Sequence, residues 1–144
     1  MDLNDVKAEG KRLSPWAYMA TVGADNAPDV VPVHPGWEGD VLWTMCGTDS
    51  VKVRNIAHNP NVAFHWQVDE TGDGLEMWGT AALFTDLDTK RRLWSGEFDY
   101  DLSAFAPGGP DDSPATAFIA VTPTRALYLK KYGMGGRSSW KPAG

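Results

Sequence analysis

Short apolar runs, each closed by a turn rich in Gly, Pro, Asn or Asp, set the first limit on what this chain can fold into. Where such runs alternate with polar residues, every second side chain lies on one face, the pattern of a half-buried strand. Residues 41–45 set Val41, Trp43 and Met45 against Leu42 and Thr44. Residues 62–68 put Val62, Phe64, Trp66 and Val68 on one side. Strands are expected at 16–22, 29–33, 41–45, 62–68, 75–84, 117–122 and 125–132, so six or seven in all. Gly79 inside the 75–84 run predicts a bulge or a close approach of two backbones. Helical spacing is confined to three short stretches. Residues 3–13 end at Ser14-Pro15, because a proline disfavours the helical basin for its predecessor. Residues 51–58 carry Val53, Ile56 and Ala57 at i, i+3 and i+4, and Asn59-Pro60 stops them. Asp86 is a good N-cap for a helix over 87–96.

Most of these strands are joined by turns too short for a crossover helix. The expected class is therefore mainly β: a small antiparallel β-barrel with a few short helices. A doubly wound sheet would need βαβ crossovers and a Gly-rich strand-to-helix turn, and the sequence has neither. Without a repeat or a low-complexity linker, residues 1–144 read as one domain. Residues 1–13 form its N-terminal helical segment and residues 133–144 an irregular C-terminal tail.

Charge narrows the partners. The net charge of −6 argues against a nucleic-acid role, since a duplex binder presents a net basic face. The balance is uneven: residues 113–144 carry five basic and no acidic side chains. A segment of that kind suits a small anionic ligand or the acidic part of a second subunit. No apolar run is long enough to span a bilayer, so no membrane role is expected. Cys46 is the single cysteine, and residues 1–5 lack the apolar stretch of a signal peptide. A cytoplasmic setting follows as the default. Seven tryptophans are far more than usual, and their flat faces suit cores, interfaces and planar ligands.

The stretch from Leu42 to Asn55 carries the most chemistry. A strand runs through Gly47-Thr48-Asp49-Ser50 into a short helix. Helix starts offer free N–H groups and a positive dipole end, both suited to phosphate. Ser50 adds a hydroxyl, and Lys52 and Arg54 add charge. Residues two apart on a helix point about 200° apart. Ser50, Lys52 and Arg54 share a side only if the chain stays extended to about Val53. An N-capped surface helix with solvated cations is the other reading. His34, His58 and His65 have no metal-ligand spacing, so no metal is expected. Nucleophile elbow, Cys-x-x-Cys and His-Glu-x-x-His are all absent. No catalytic residue can be assigned, and a cofactor would have to carry any redox chemistry.

The order of motifs resembles one family. Ala20-Thr21-Val22-Gly23 is followed by Pro28-Asp29-Val30-Val31-Pro32-Val33 and Leu42-Trp43-Thr44. Ser50-Val51-Lys52-Val53-Arg54-Asn55 and Asn59-Pro60-Asn61-Val62-Ala63 come next, then Gly79-Thr80-Ala81. Over residues 14–132 this is similar to the pyridoxamine 5′-phosphate oxidase-like superfamily of flavin and deazaflavin split β-barrels. The resemblance implies a six-stranded antiparallel split β-barrel that forms a homodimer, with cofactor sites at the interface. It implies FMN or coenzyme F420 as cofactor, gripped at its phosphate by the segment containing Ser50, Lys52, Val53 and Arg54. Backbone at Val31, Pro32, Val33, Trp43 and Thr44 would border the ring. Trp78 and the tail residues Lys130, Tyr132, Arg137 and Trp140 are candidates to approach the site, within the chain or across the dimer. Pyridoxamine-phosphate oxidases proper carry an Arg-x-Val-x-Leu-Lys strand, whereas residues 29–34 contain no Arg or Lys. The expected activity is instead hydride transfer to or from a small unsaturated or quinone-like substrate. A non-catalytic flavin, F420 or heme binding or storage protein is the alternative.

Overall fold

Pro123 sits inside a strand, not between two. The computed structural model describes residues 1–96 and 98–143. Its elements in chain order are α1 (Leu3–Leu13), β1 (Ala17–Val22), β2 (Pro28–Val33), β3 (Gly36–Glu38), β4 (Val41–Gly47) and α2 (Val51–His58). There follow β5 (Asn61–Trp66), β6 (Gly74–Phe84), α3 (Leu87–Trp94), β7 (Thr116–Leu129) and β8 (Arg137–Trp140). Short 3-10 turns lie at Leu102–Ala104 and Lys131–Gly133. The two strands expected around Pro123 are the single 14-residue β7. A proline has no N–H to give a ladder. The β6–β7 register shifts between Trp78 and Gly79, and Gly79 then faces Pro123. The expected irregularity at Gly79 is this bulge. A Cβ on Gly79 would lie 2.5 Å from Val121 Cγ1 and 2.7 Å from the Thr122 carbonyl oxygen.

Every pairing is antiparallel, in the order β2-β1-β5-β6-β7-β4-β3. One side of β7 pairs with β6 along nearly its whole length. Its other side is divided: residues 116–121 pair with β4 and residues 126–129 with β8. Two expectations are corrected here. The turn at 34–40 contains β3, which pairs with β4. The tail at 133–144 is not irregular, since β8 lies in it; Gly144 is outside the described residues. Lys131, Tyr132 and Gly133 take positive φ (49°, 59° and 93°) and reverse the chain onto β7. With β3 and β8 the described residues form eight strands. Among them, no helix is long and apolar enough to cross a membrane.

Alternation sorts the side chains into two cores. Met19, Phe64, Leu75, Met77, Ile119 and Val121 fill the inner one, at 0–1% exposure. Val6 of α1 joins it, and Gly10 lets α1 lie against Trp66, where a Cβ would sit 3.0 Å from the ring. Trp43, Leu93, Leu102 and Phe118 form the second core, where α3 and the following loop cover the outer face of β4 and β7. Asp86 caps α3 as expected, accepting from the Thr89 N–H and hydroxyl.

A polar clamp ties α1 to the sheet. Arg12 Nη2 donates to the Tyr128 hydroxyl at 2.8 Å, and that hydroxyl donates to Asp73 Oδ2 at 2.8 Å. Arg12 also donates to Asp69 at 3.2 Å. The Asp69 carboxyl is held down at about 2, first by the Thr71 hydroxyl, then by the Asp73 N–H and by Arg12. Asp73 is lowered by the Lys131 N–H and the Tyr128 hydroxyl.

Two outcomes are expected. A carboxyl with a depressed folded value stabilises the fold above its unfolded value and loses that contribution as pH falls toward the folded one. Urea midpoints should therefore drop as pH falls from 3.8 toward about 2, and the drop should flatten in an Asp69→Asn/Asp73→Asn variant. Gly79→Ala should destabilise by about 1–3 kcal/mol in the same assay, because β6 and β7 leave no room for a methyl group.

Candidate functional site

The turn from β4 into α2 opens beside a cavity of about 610 Å³. Pro32 and Val33 at the end of β2 form one wall, and Met45, Cys46 and Gly47 at the end of β4 form another. Lys52 reaches it from the first turn of α2. Trp16, His34, Tyr100 and Phe105, with Thr116 at the start of β7, complete it.

Ser50 occupies the N-cap of α2 but its side chain makes no capping bond. Its Oγ is buried and has no hydrogen-bond partner. A buried hydroxyl left unpaired costs about 1–3 kcal/mol. Lys52 is half-buried, and its ammonium has no ion-pair partner among the described residues. Its charge is felt by Cys46, whose thiol burial nonetheless pushes up to about 11. That thiol stays protonated and points its hydrogen at the Ala117 carbonyl, 3.6 Å away. Arg54 is exposed and folds back, donating from Nη1 to the Asp49 carbonyl at 2.8 Å. Val53 turns into the inner core, and Asn55 beside it donates to Thr21 Oγ1 at 2.9 Å, which fixes α2 on β1. Because α2 begins at Val51, the extended stretch that would set Ser50, Lys52 and Arg54 on one side is absent, and Arg54 does not join Lys52 on the cavity wall. The unpaired Lys52 ammonium and the free N–H groups of the helix start remain as donors for an oxyanion.

The other wall is aromatic. The His34 and Tyr100 rings stack at 4.0 Å with 17° between planes, Trp16 tilts against His34 at 5.9 Å, and Phe105 meets Tyr100 edge-on at 5.7 Å. Asp99 accepts from His34 Nε2 at 2.7 Å. Burial raises the Tyr100 phenol to about 12. The loop carrying Tyr100 and Phe105 is fixed from α3: Arg91 grips Asp111 with two bonds, at 2.8 and 3.1 Å, and Trp94 Nε1 donates to Ser103 at 2.9 Å.

Of the residues singled out from sequence, Pro32, Val33 and Lys52 line this cavity, whereas Ser50 and Arg54 are not among its lining residues. Val31 is half-buried and packs on the inner core. The side chains of Trp43 and Thr44 do not line the cavity. Trp43 lies in the second core, edge-on to Phe84, and Thr44 is buried at 2% exposure. Met45, Cys46 and Gly47, one step further along β4, line the cavity in their place. Trp78 belongs to a separate hollow of about 570 Å³ with Arg125, Trp140 and Lys141. Arg125 lies over the Trp78 ring at 3.7 Å. Within one chain, therefore, the tail does not reach the cavity. Trp16, His34, Tyr100 and Phe105 went unassigned in the sequence, because the strand pairings and the α3 ties that gather them join distant positions.

The fold has solved counterparts. A Clostridium acetobutylicum protein related to general stress protein 26 of Bacillus subtilis superposes with a TM-score of 0.79 at 19% identity, covering 98% of this chain and 96% of the other. A pyridoxamine 5′-phosphate oxidase-related, FMN-binding protein from Nostoc punctiforme gives 0.69 at 17% identity, covering 99% and 95%. An F420 reductase gives 0.60 at 28% identity, covering 79% and 90%. Comparison with curated proteins finds no match. The family model for pyridoxamine 5′-phosphate oxidase matches residues 5–130, and on that match the chain belongs to this family of FMN-binding split barrels.

Proposed function

We propose that the chain is an oxidoreductase that binds FMN or coenzyme F420 and moves a hydride between the cofactor ring and a small unsaturated or quinone-like substrate. The observation that carries the reading is the unpaired donor set at the start of α2. Ser50 Oγ is buried without a partner at the N-cap of α2, and Lys52, two residues on, lines the cavity with no ion-pair partner among the described residues. Cofactor phosphate would satisfy both, with the α2 dipole and Arg54 adding to the hold. The ring would lie along the β2 wall at Val31, Pro32 and Val33. When bound, the ring supplies or accepts the hydride. The protein's part is orientation and a cavity walled by aromatic side chains. Family membership, and the likeness to an FMN-binding protein and an F420 reductase, support this cofactor class. Vitamin B6 oxidation is not the proposed activity, since β2 reads Pro-Asp-Val-Val-Pro-Val with no cation.

The reading includes a homodimer. Register aligns Val30, Ala20, Ala63, Trp78 and Arg125 in one row across β2, β1, β5, β6 and β7. The face is outward and largely apolar, with Val30 60% and Tyr18 47% exposed. A second copy on this face would cover it and bring its Trp78 and the hollow around Trp140 toward the first copy's cavity.

Parallel titrations with FMN and F420, read by tryptophan quenching, test the proposal. Tight binding of either is expected, and the tighter one names the cofactor. Quenching by neither sinks the reading. Binding without turnover would favour the non-catalytic alternative. Lys52→Ala and Arg54→Ala should each weaken binding by roughly 1.5–3 kcal/mol, the range for charged hydrogen bonds. Added salt should weaken it further. Ser50→Ala should part the two effects. It removes an unpaired buried hydroxyl, so the free protein should keep or gain stability. Cofactor affinity should fall, by about 1 kcal/mol.

A further inference from the structure

We infer that His34, held by Asp99, is the proton donor that accompanies hydride transfer to an enone or quinone seated against the Trp16–His34–Tyr100 wall. This rests on the oxidoreductase reading above. It adds a residue and its role, which the cofactor site alone does not supply.

Hydride addition to an enone leaves a negative charge to be quenched. The hydride from the reduced ring forms a new C–H bond at the β-carbon. The C=C pair shifts toward the carbonyl, whose oxygen takes the charge. One proton to that oxygen then gives the enol, which loses its O–H proton to water and takes one at the α-carbon to become the saturated ketone. A group in the cavity wall has to give it, or solvent does. Lys52 is committed to the anion end. Cys46 is held protonated, near 11, and donates to the Ala117 carbonyl. Tyr100, near 12, is a poor acid at neutral pH. Imidazole is the side chain that exchanges protons in that range.

The setting of His34 suits the task. The Asp99 carboxylate can only accept, so Nε2 of His34 carries its hydrogen. Nδ1 has no protein partner among the described residues. In the imidazolium form, the Nδ1 proton is the one free to leave, and Asp99 stabilises the charge until it does. Stacking on Tyr100 fixes the plane of the ring. His34 keeps 21% side-chain exposure, which gives it a route to recover a proton from solvent. The charged or titratable groups facing it are Asp99 on the 98–105 loop, Tyr100 in the stack, and Lys52 and Cys46 across the cavity. The same stack offers a flat surface to a planar conjugated substrate, with Trp16 and Phe105 flanking it at 55% and 74% exposure.

The test uses the protein loaded with whichever cofactor binds, pre-reduced, and cyclohex-2-en-1-one as the probe. His34→Asn should lower the single-turnover reduction rate at least ~10-fold, while cofactor affinity by tryptophan quenching stays within about twofold, since His34 makes no contact with the α2 donor set. Asp99→Asn should lower the rate as well, because it removes the carboxylate that holds the ring. A second readout needs no turnover. In the cofactor-free protein, the NMR resonance of the Nε2 proton that Asp99 accepts should move upfield in Asp99→Asn. An unmoved resonance, or a His34→Asn rate within about twofold of wild type with the cofactor normally bound, overturns the inference alone. Failure of wild-type protein to bind either cofactor overturns the function reading and this inference with it.

Discussion

The rest of the molecule depends on one long strand serving three neighbours. β7 pairs with β6 on one side and divides its other side between β4 and β8. A straight strand could not turn from one partner to the other at mid-length. The register shift at Trp78/Gly79, opposite Pro123, supplies the local twist. Gly79 is fixed by that crossing, because the Thr122 carbonyl and Val121 leave no space for a side chain. Upstream of the bend, β7 holds β4, and so the turn that presents α2 to the cavity. Downstream, it holds the segment that carries Trp140.

The cavity works by contrast between its two ends. The chain as a whole is acidic, at −6. At the α2 end, Lys52 faces the cavity, and no carboxylate forms an ion pair with it among the described residues. At the other end, aromatic rings form a planar wall with a single histidine–aspartate pair at its edge. A ligand that carries an anion on one end and a conjugated plane on the other is complementary to both. Neither end would select it alone.

Local signals were legible where local physics decides. The helices Leu3–Leu13 and Val51–His58 follow from apolar spacing and from the prolines that stop them. The Asp86 cap follows from side-chain geometry, and the bulge from a glycine inside a strand. Lys52 stands out in the sequence because its segment is one continuous motif, and the fold puts it on a cavity wall. The misses share one cause. β3 and β8 are short, and only pairing with β4 and β7 makes them strands. Pro123 looked like a break because a missing N–H usually is one, and the compensating shift lies 44 residues earlier in the chain, at Gly79. The aromatic wall joins His34 to Tyr100, and a loop rich in Pro, Gly and Asp gave no sign that α3 would pin it there.

The open edge of β2 carries a consequence for assembly. Alternate residues of a strand send their N–H groups to the same side. Pro28, Val30 and Pro32 are such a set, and the β1–β2 register runs unbroken through all six pairs. The missing donors therefore fall on the solvent side, where Val30 alone of the three could offer one. A foreign strand laid along this edge would find almost nothing to accept from. Growth by strand addition, the route to fibrils and swapped sheets, is closed at this border.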